Sequence, residues 1–550
     1  MKERRLISLS SLSSQANNRA YPEKNIFLTG FMGSGKTTVG RLLAKALGRP
    51  FVDMDEELAA LHNKSVREIF AEAGEAFFRQ AESGLLATLD DQDQPKVIAT
   101  GGGIVLSQAN CQILKGALTF FLDLPAEAAW ERISANASLS RPLATDLASF
   151  RNLMASRLDL YRRCGAIIPA LPAPAEVARN ILDFVLWQEP IVLKAEGRSC
   201  VIRSYAPASS LPSLRDGLLG QARAMVLLDH HFRDDPDAFL ERFRDSPVAF
   251  ASERGEAAKS LDEVSRLLLI MAGERLDRSD FLVVRGGGSL TDLGALCAGL
   301  YRRGLNLVLA PTTVLAAVDA AIGGKAAVNL AGAKNQAGLF YLPREVWIDP
   351  LVLRSLPGHL LREGLVEALK TALLFDPALL DLISRQLDNI LAGDLLLLAQ
   401  IVHDSARHKA ALVAKDLREE KGIRDVLNLG HTYGHAVESH NAPRIGHGRA
   451  VALGLAVALA YSQARHGLDG FVARTGVAVC RRLAGGAFPP APPPGEARRL
   501  LGFDKKTRAG RLRFVALRAP GQPFLEREAD PEDILAAAET LLSGQPGAAG

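Results

Sequence analysis

The chain has 550 residues, of which 48% are hydrophobic and 23% are charged, a balance that excludes a mostly disordered protein. At roughly 100–200 residues per domain, this length predicts several domains. A formal net charge of +4 suits small anionic substrates and does not favour a nucleic-acid partner.

The cysteines and the apolar stretches indicate where the protein works. The five cysteines are scattered and form no C-x-x-C pair, so we expect a reducing compartment, by default the cytoplasm. Apolar stretches such as residues 451–461 fall short of the roughly 20 residues that span a bilayer, and we expect no membrane association. Residues 1–18 are basic and rich in serine but lack an apolar core. They predict a flexible extension over residues 1–23, with an organelle transit peptide as the alternative.

Strand-like and helix-like stretches alternate from Asn25 to about residue 186, which predicts a parallel α/β sheet. Prolines then flank an amphipathic stretch at residues 177–187, which we interpret as a closing helix. We therefore expect a first domain over residues 24–188 and a linker over residues 189–199.

A second alternation follows, with buried strands predicted at residues 225–229, 281–284 and 305–310. From about Pro350 onward, long helical patterns rich in Leu and Ala dominate. These patterns predict a Rossmann-like α/β nucleotide-binding half over residues 200–349 and a mainly α-helical half over residues 350–542. A tail rich in Gly, Pro and Ala, residues 543–550, is expected to be disordered.

The first motif with a chemical meaning is Gly30-Phe-Met-Gly-Ser-Gly-Lys36-Thr37, which fits G-x-x-x-x-G-K-[ST] between a predicted strand and a helical run. Its glycines allow backbone N–H groups to approach phosphate oxygens, Lys36 can reach the β- and γ-phosphates, and the Thr37 hydroxyl can hold Mg²⁺. The motif predicts a nucleoside triphosphate site. The expected ATP-binding residues are Gly33, Ser34, Gly35, Lys36, Thr37 and Thr38.

Several residues after this loop suggest the phosphoryl acceptor. Asp53 and Asp55 have a spacing of two, which predicts two carboxylates on one face of a strand end. One of them can support Mg²⁺ while the other orients or deprotonates a substrate hydroxyl. Three arginines follow, each beside a glycine turn or at a helical spacing, and they are Arg79, Arg141 and Arg157.

Residues 24–187 resemble shikimate kinase, a P-loop kinase with a parallel sheet. The resemblance implies that the hydroxyls and carboxylate of shikimate contact Asp55, Arg79, Gly102 and Arg157. It also implies Asp53 as the Mg²⁺-side carboxylate, Glu82 as the residue that orients Arg79, and Arg141 as a lid arginine that closes over the transferring phosphate.

A second set of motifs begins with Gly286-Gly-Gly-Ser-Leu-Thr-Asp292, which follows a predicted strand and is a weak dinucleotide signal on its own. Lysines and an arginine close to glycine turns suggest anionic groups on a substrate or cofactor. Four of the eleven histidines, His431, His435, His440 and His447, lie within 17 residues. Together with Glu367 they indicate a catalytic Zn²⁺ site, and helical spacing alone favours His431 and His435 as its ligands.

Residues 200–530 resemble 3-dehydroquinate synthase. The resemblance implies Glu367, His431 and His447 as metal ligands and gives His435 a role in substrate binding or proton transfer. The implied NAD⁺ site comprises Glu256, Lys259, Gly288, Ser289, Leu290, Thr291, Asp292, Thr312, Thr313, Lys325 and Lys334. The implied substrate contacts are Arg303, Asp319, Asn335, Lys370, Lys409, Arg424, Asn428 and Lys505, with Arg303 and Lys325 on the phosphate side. The residues implied to act in catalysis are Asp55 and Arg141 in the first domain and Lys325, Lys370, Arg424 and His435 in the second.

The sequence departs from the usual pattern of this second family at several positions. Alanines stand at 320 and 321 instead of two serines, alanines stand at 326 and 327 instead of Thr-Gly, and Arg449 replaces an acidic residue. Both Glu419 and Glu420 are candidates for the acidic position that precedes Arg424.

Together the two resemblances predict a bifunctional enzyme of the shikimate pathway. One activity transfers the γ-phosphoryl group of ATP, held with Mg²⁺, to shikimate. The other cyclises the keto-acid phosphate DAHP to 3-dehydroquinate with release of phosphate, and uses NAD⁺ and Zn²⁺ or another divalent ion such as Co²⁺. The alternatives are a kinase fused to a different sugar-phosphate cyclase or polyol dehydrogenase, and a P-loop switch that carries an inactive enzyme as a scaffold. Shikimate, ATP and DAHP are the expected partners, together with a second copy of the chain in a homodimer through the synthase unit.

Overall fold

The computed structural model describes residues 24–91, 94–135, 146–206, 211–233, 238–243, 245–442, 444–502 and 512–543. The predicted N-terminal extension, the tail beyond residue 543, Arg141 and Lys505 lie outside the described residues. The chain divides into two compact units. One unit reaches Trp187 and includes the short segment Ala392–Leu397, and the other comprises Gln188–Leu391 and Leu398–Gly550.

The first unit contains a five-stranded sheet in the order β2-β3-β1-β4-β5, in which every neighbouring pair is parallel. Its strands are β1 (Ile26–Thr29), β2 (Phe51–Asp53), β3 (Val97–Ala99), β4 (Leu118–Asp123) and β5 (Ala166–Pro169). Its helices are α1 (Lys36–Leu47), α2 (Met54–His62), α3 (Val66–Asp90), α4 (Gln108–Gly116), α5 (Ala126–Ser134), α6 (Leu147–Cys164) and α7 (Pro174–Leu186). Because carboxyl ends of parallel strands share one edge, the loops after β1, β2 and β3 meet there.

The predicted placement of Asp53 and Asp55 on one strand face is wrong. Strand β2 ends at Asp53, and Asp55 lies in the first turn of α2. The physical reason is a helix cap, since the Asp53 carboxylate accepts the backbone N–H groups of Asp55 at 3.0 Å and Glu56 at 3.4 Å.

The second unit contains a seven-stranded sheet in the order β6-β7-β14-β11-β10-β8-β9, parallel except for the pair β6 and β7. The strands of this sheet are β6 (Ile191–Ala195), β7 (Arg198–Arg203), β8 (Ala224–Leu228), β9 (Val248–Phe250), β10 (Phe281–Gly286), β11 (Asn306–Pro311) and β14 (Glu345–Trp347). Two antiparallel hairpins complete the strands, β12 (Lys325–Leu330) with β13 (Ala333–Phe340) and β15 (Leu512–Ala519) with β16 (Gln522–Ala529).

The helices of the second unit dominate its C-terminal part. They are α8 (Leu211–Leu219), α9 (Ala238–Glu241), α10 (Leu261–Gly273), α11 (Gly288–Leu300), α12 (Pro350–Arg354), α13 (Gly358–Phe375), α14 (Pro377–Leu391), α15 (Leu395–Lys415), α16 (His431–Asn441), α17 (His447–His466), α18 (Gly470–Leu483), α19 (Pro494–Gly502) and α20 (Pro531–Ser543). The apolar stretch at residues 451–461 is the middle of α17, which is buried on all sides as a core helix. Among the described residues, no helix has the length and apolar character needed to cross a bilayer.

These observations confirm the predicted fold class and correct one boundary. The segment predicted as a linker, residues 189–199, forms β6 and the start of β7. In β6 the buried Leu193 and Ala195 alternate with the exposed Val192 and Lys194, a pattern of a half-buried edge strand. Pro190 lies directly before the strand, and because proline is typical of loops, the sequence predicts a linker here.

Candidate functional sites

The glycine-rich loop between β1 and α1 is shaped to receive an anion. Gly35, the residue before α1, has a φ of 91°, a conformation that glycine adopts without strain, and no side chain caps the helix. The first N–H groups of α1 therefore point into the loop. The Lys36 ammonium lies over the loop and donates to the carbonyl oxygens of Gly30 at 2.8 Å and Phe31 at 3.3 Å.

The loop also contains a pair of groups suited to a divalent cation. The Thr37 hydroxyl donates to the Asp53 carboxylate at 2.6 Å. A hydroxyl and a carboxylate this close to each other, beside a phosphate loop, are oxygen ligands of the kind that Mg²⁺ uses in nucleotide sites.

The turn after β3 brings Arg79 and Asp55 close to the loop. The Arg79 guanidinium donates to Glu82 at 2.8 Å and to Glu75 at 3.2 Å, and the Glu82 side chain is only 1% exposed. Burial raises the pKa of Glu82 even though Arg79 opposes the shift. A Cβ atom at Gly101 would lie 2.2 Å from Glu82 Oε1 and 3.0 Å from Asp55 Oδ1. Only glycine allows these two carboxylates to approach the turn so closely.

Helix α6 reaches the same turn from the other side. The buried Arg157 guanidinium and the Tyr161 hydroxyl both donate to the carbonyl oxygen of Gly102, at 3.1 Å and 2.5 Å. Burial raises the pKa of Tyr161, which keeps its hydroxyl a donor. The structure thus brings Asp55, Arg79, Gly102 and Arg157 together beside the phosphate loop.

In the second unit, three side chains from three helices converge on one point. Glu367 comes from the middle of α13, whereas His431 and His447 are the first residues of α16 and α17. Glu367 Oε1 lies 3.5 Å from His431 Nε2 and 3.8 Å from His447 Nε2, and the three candidate ligand atoms all lie within 4.8 Å of one another. These separations suit one tetrahedral Zn²⁺ with an open position.

The states of Glu367 and His431 also fit a metal ion. Glu367 is 2% exposed, its Oε2 pairs with the Lys370 ammonium, and its Oε1, the atom that faces the two histidines, has no hydrogen bond to any described residue. The ring of His431 is within hydrogen-bond distance of the Leu429 carbonyl through Nδ1, at 3.2 Å, so its Nε2 lone pair faces Glu367. Burial, with the nearby Lys370, lowers the pKa of His431 well below its ordinary value and keeps it neutral.

His435 and Glu438 lie next to this cluster. The His435 and His431 ring centroids are 5.5 Å apart, and His435, Glu438 and His447 form a second group whose ligand atoms could hold an ion. Glu438 accepts a hydrogen bond from His447 Nδ1 at 3.0 Å, and its other oxygen pairs with Lys334 at 2.7 Å. The hydrogen bond from His447 and the charge of Lys334 lower the pKa of Glu438 to about 2.

Buried lysines connect the metal-ligand cluster to the glycine turn. The Lys370 ammonium forms an ion pair with Glu367, and Lys409 forms one with Asp319. Burial alone would raise the pKa of the Asp319 carboxyl, but the charges of Lys409 and Lys370 hold this pKa far below its usual value. The neighbour of Asp319, Ala320, lies 3.5 Å from the position that a Cβ atom would take at Gly288.

The glycine turn between β10 and α11 resembles the phosphate loop in one respect, because no side chain caps α11. Around the glycine turn, the Glu256 carboxylate accepts a hydrogen bond from the Ser289 hydroxyl at 2.8 Å. The Lys259 ammonium contacts Asp292 at 2.8 Å and Asn335 at 2.5 Å. Burial raises the pKa of Asp292 to about 6 despite the Lys259 charge. Four of the residues expected at an NAD⁺ site therefore form two contacting pairs, Glu256 with Ser289 and Lys259 with Asp292.

The remaining predicted substrate residues lie in different places. Lys325 pairs with Glu419 at 2.6 Å, and Arg424 lies 3.2 Å from the same carboxylate, so Glu419 and not Glu420 makes these contacts.

Thr312 and Thr313 follow β11 beside the glycine turn, where the Thr312 N–H donates to the Gly286 carbonyl oxygen at 3.0 Å. Asn335 contacts Lys259 rather than the buried lysines near Asp319. Asn428 ends the short helix Ile423–Asn428 that carries Arg424.

The structure does not bring Arg303 to this site. Arg303 is exposed and follows α11, a helix of 13 residues that starts at the glycine turn, so the helix alone separates them by about 20 Å. It precedes β11, whose first residue Asn306 pairs with Phe281, the first residue of β10. Arg303 therefore lies at the opposite edge of the sheet from the glycine turn.

Sequence reasoning assigned no role to two carboxylates at these sites. Glu75 is four residues before Arg79, which is the signal that could have identified it. Glu438 is seven residues after His431, a spacing of two helical turns, but an acidic residue at such a position is usually a solvated one.

Comparison with protein families matches residues 32–186 and 249–506. Residues 32–186 match the family of shikimate kinases. Residues 249–363 match the family described as 3-dehydroquinate synthase N-terminal, and residues 364–506 match the 3-dehydroquinate synthase C-terminal family. The matches confirm both resemblances that the sequence motifs indicate.

Individual proteins match either both units or the second unit alone. A bifunctional shikimate kinase/3-dehydroquinate synthase of Thermotoga maritima is 31% identical over 541 residues, which cover 93% of this chain and 99% of that protein. A 3-dehydroquinate synthase of Symbiobacterium thermophilum is 38% identical over 327 residues, or 58% of this chain and 90% of that one. Among solved structures, 2-epi-5-epi-valiolone synthase from Streptomyces hygroscopicus, with NAD⁺ and Zn²⁺ bound, has a TM-score of 0.56 and 26% identity, and the match covers 65% of this chain and 100% of that one.

Proposed function

The chain belongs to the family of bifunctional shikimate kinase/3-dehydroquinate synthases, and on that premise we propose which of its residues perform each reaction. One unit phosphorylates shikimate with ATP and Mg²⁺. The other converts DAHP into 3-dehydroquinate with NAD⁺ and a divalent metal ion such as Zn²⁺.

In the kinase unit, we assign the phosphates of ATP to the loop Gly33–Thr38, with Lys36 on the β- and γ-phosphates. Thr37 and Asp53, already 2.6 Å apart, would hold Mg²⁺ between them. Arg79 and Arg157 would bind the shikimate carboxylate. Arg79 is fixed by Glu82 and Glu75, and Arg157 is fixed by the Gly102 carbonyl. Each guanidinium has five N–H donors and keeps some of them for a ligand. Asp55 would orient the attacking hydroxyl, and Arg141 would stabilise the transferring phosphate.

In the synthase unit, Glu367, His431 and His447 would hold the metal ion. When bound, that ion polarises a substrate oxygen as a Lewis acid. We assign NAD⁺ to the turn Gly288–Asp292 with Glu256, Lys259, Thr312, Thr313, Lys325 and Lys334. The observation that supports this assignment is the closeness of the two binding regions. Lys370 pairs with Glu367 and its charge acts on Asp319, whose neighbour Ala320 lies beside Gly288.

The substrate would lie between these regions. Lys370, Lys409 and Arg424 are buried cations near Asp319, and a phosphate that must be bound, oriented and neutralised as it leaves needs such a set. A dehydrogenase acting on a neutral alcohol has no comparable need. We also assign Lys325, Asn428 and Lys505 to substrate anions, Asn335 to the cofactor side of the substrate, and His435 to proton transfer.

We further propose a cytoplasmic homodimer formed through the synthase unit. The position of Arg303 supports the dimer, because a substrate contact for this residue requires it to enter the site of a second copy. Mixing Arg303→Ala with Lys370→Ala protein after dissociation and reassembly should then restore part of the DAHP turnover that each variant lacks. A monomer by light scattering, or no restoration from an authentic mixed dimer, would contradict this proposal.

Assays of the full chain test the assignments as a whole. Lys325→Ala should lower DAHP turnover by about 100-fold or more, since it removes a charge at the junction of cofactor and substrate. The same variant should phosphorylate shikimate at the wild-type rate. Lys421→Ala, which removes an exposed lysine from the same region of the fold, is the matched control and should leave both rates unchanged.

A further inference from the structure

We propose that Glu438 is a positioning residue for the metal ligand His447, and that Lys334 holds Glu438 in place. This inference rests on the proposed function of the synthase unit. It assigns Glu438 a role although Glu438 is not a metal ligand. It also gives Lys334 a contact with Glu438 in addition to its proposed contact with NAD⁺.

The contact between Glu438 and His447 sets the orientation of the His447 ring. Glu438 Oε2 lies 3.0 Å from His447 Nδ1, and a carboxylate can only accept a hydrogen bond. Nδ1 must therefore carry a proton. In the neutral ring the lone pair is then on Nε2, the atom that lies 3.8 Å from Glu367 Oε1. Glu438 thus selects the tautomer and the direction that a metal ligand needs.

Glu438 is in turn held in place by Lys334. Its other oxygen, Oε1, lies 2.7 Å from the Lys334 ammonium, so both carboxylate oxygens have a partner. Lys334 belongs to strand β13 of the β12–β13 hairpin, and the next residue, Asn335, is tied to Lys259 at 2.5 Å. The contact of Asn335 with Lys259 therefore fixes the backbone of the hairpin next to Lys334.

The main alternative is that Glu438 binds the metal ion directly, together with His435 and His447. In the structure, however, Glu438 Oε2 is used by the His447 ring and Oε1 by Lys334. Either oxygen could coordinate a cation only by sharing its remaining lone pair or by losing its present partner. The positioning role needs no such change.

The experiment measures the Zn²⁺ affinity of the full chain by competition with a chromophoric chelator. Glu438→Ala should weaken binding by about 10- to 100-fold, the usual effect of removing the carboxylate partner of a histidine ligand. Glu438→Gln should weaken it less, because the amide oxygen still accepts from Nδ1. Lys334→Met should also weaken it less than Glu438→Ala, since the carboxylate remains but is no longer held.

The matched control is Glu496→Gln. Glu496 of α19 lies 3.0 Å from His440 of α16, so this change replaces the carboxylate of a carboxylate–histidine pair as Glu438→Gln does, at a histidine outside the ligand set. Its Zn²⁺ affinity should equal that of the wild type. The melting temperatures of the metal-free variants should be unchanged, and the Co²⁺-loaded Glu438→Gln protein should keep the visible spectrum of the wild type.

Three results would overturn the inference. Wild-type Zn²⁺ affinity in Glu438→Ala would mean that His447 needs no partner, and a loss as complete as that of Glu367→Ala would make Glu438 a ligand. An equal loss in Glu496→Gln would make the effect a general property of the helix. If Glu438→Ala fails to fold, Glu438→Gln and Lys334→Met decide by the same affinities. A wild-type protein that binds no metal would instead contradict the proposed function.

Discussion

The Thr37 hydroxyl donates a 2.6 Å hydrogen bond to the Asp53 carboxylate, which joins the phosphate loop to the end of strand β2. The same carboxylate caps α2 through its other oxygen. One side chain therefore supports both the expected Mg²⁺ position and the local fold.

These two tasks can be separated by substitution. Asp53→Asn keeps an oxygen for the helix cap but loses the charge, so shikimate phosphorylation should fall by about 10- to 100-fold and require more Mg²⁺, with little loss of stability. Asp53→Ala should show the same kinetic loss and an additional destabilisation of about 1 kcal/mol from the lost cap. Rates at varied Mg²⁺ and thermal melts provide the measurements. An unchanged Mg²⁺ requirement in Asp53→Asn would contradict the assignment.

The two activities should be independent. Lys36→Ala should abolish phosphoryl transfer to shikimate and leave DAHP turnover nearly unchanged, because Lys36 and the metal-ligand cluster belong to different compact units. The two assays are made on one preparation, with circular dichroism as the check of folding. Collapse of both activities in a folded protein would refute two separate active sites.

The metal content separates two ligand sets. His447→Ala should lose most of the bound Zn²⁺, whereas His435→Ala should keep it and lose turnover, because Glu367 Oε1 faces His431 and His447. Elemental analysis of the purified proteins measures this, with about one ion expected per wild-type chain. Equal loss in both variants would favour the set that contains His435.

The Asp292 carboxyl should make the stability of the synthase unit depend on pH. Its pKa is about 6 in the folded protein, above the ordinary value of 3.8, so the folded state binds more protons between pH 4 and pH 6. Stability should therefore decrease as the pH rises through this range, by a few kcal/mol at most. Asp292→Asn should remove this decrease, and Asp262→Asn, a change at an exposed residue, should not. Calorimetric melts at pH 4.5 and 6.5 test it, and identical pH profiles for wild type and Asp292→Asn would contradict it.

Much of the architecture follows from local sequence signals. The spacing of the glycines, the lysine and the threonine identifies the phosphate loop. The alternation of strands and helices predicts both parallel sheets. The pairing of Arg79 with Glu82 and of Glu367 with Lys370 follows from helical periodicity.

Other features depend on packing that a sequence does not show. A spacing of two suits a strand face, but it also occurs where a strand ends in a helix cap, as at Asp53 and Asp55. Arg303 is close in sequence to other cations of the second site, but it follows helix α11 and therefore lies at the far edge of the sheet. Glu438 looks like a solvated helix residue until the fold brings His447 to it.

The most direct test of the account is the reaction of the purified chain with DAHP. We predict that turnover requires NAD⁺ and a divalent metal ion, releases one phosphate per 3-dehydroquinate formed, and leaves no net NADH absorbance. Stoichiometric accumulation of NADH without phosphate release would contradict the account and indicate a dehydrogenase, and phosphate release with a different cyclic product would indicate another sugar-phosphate cyclase.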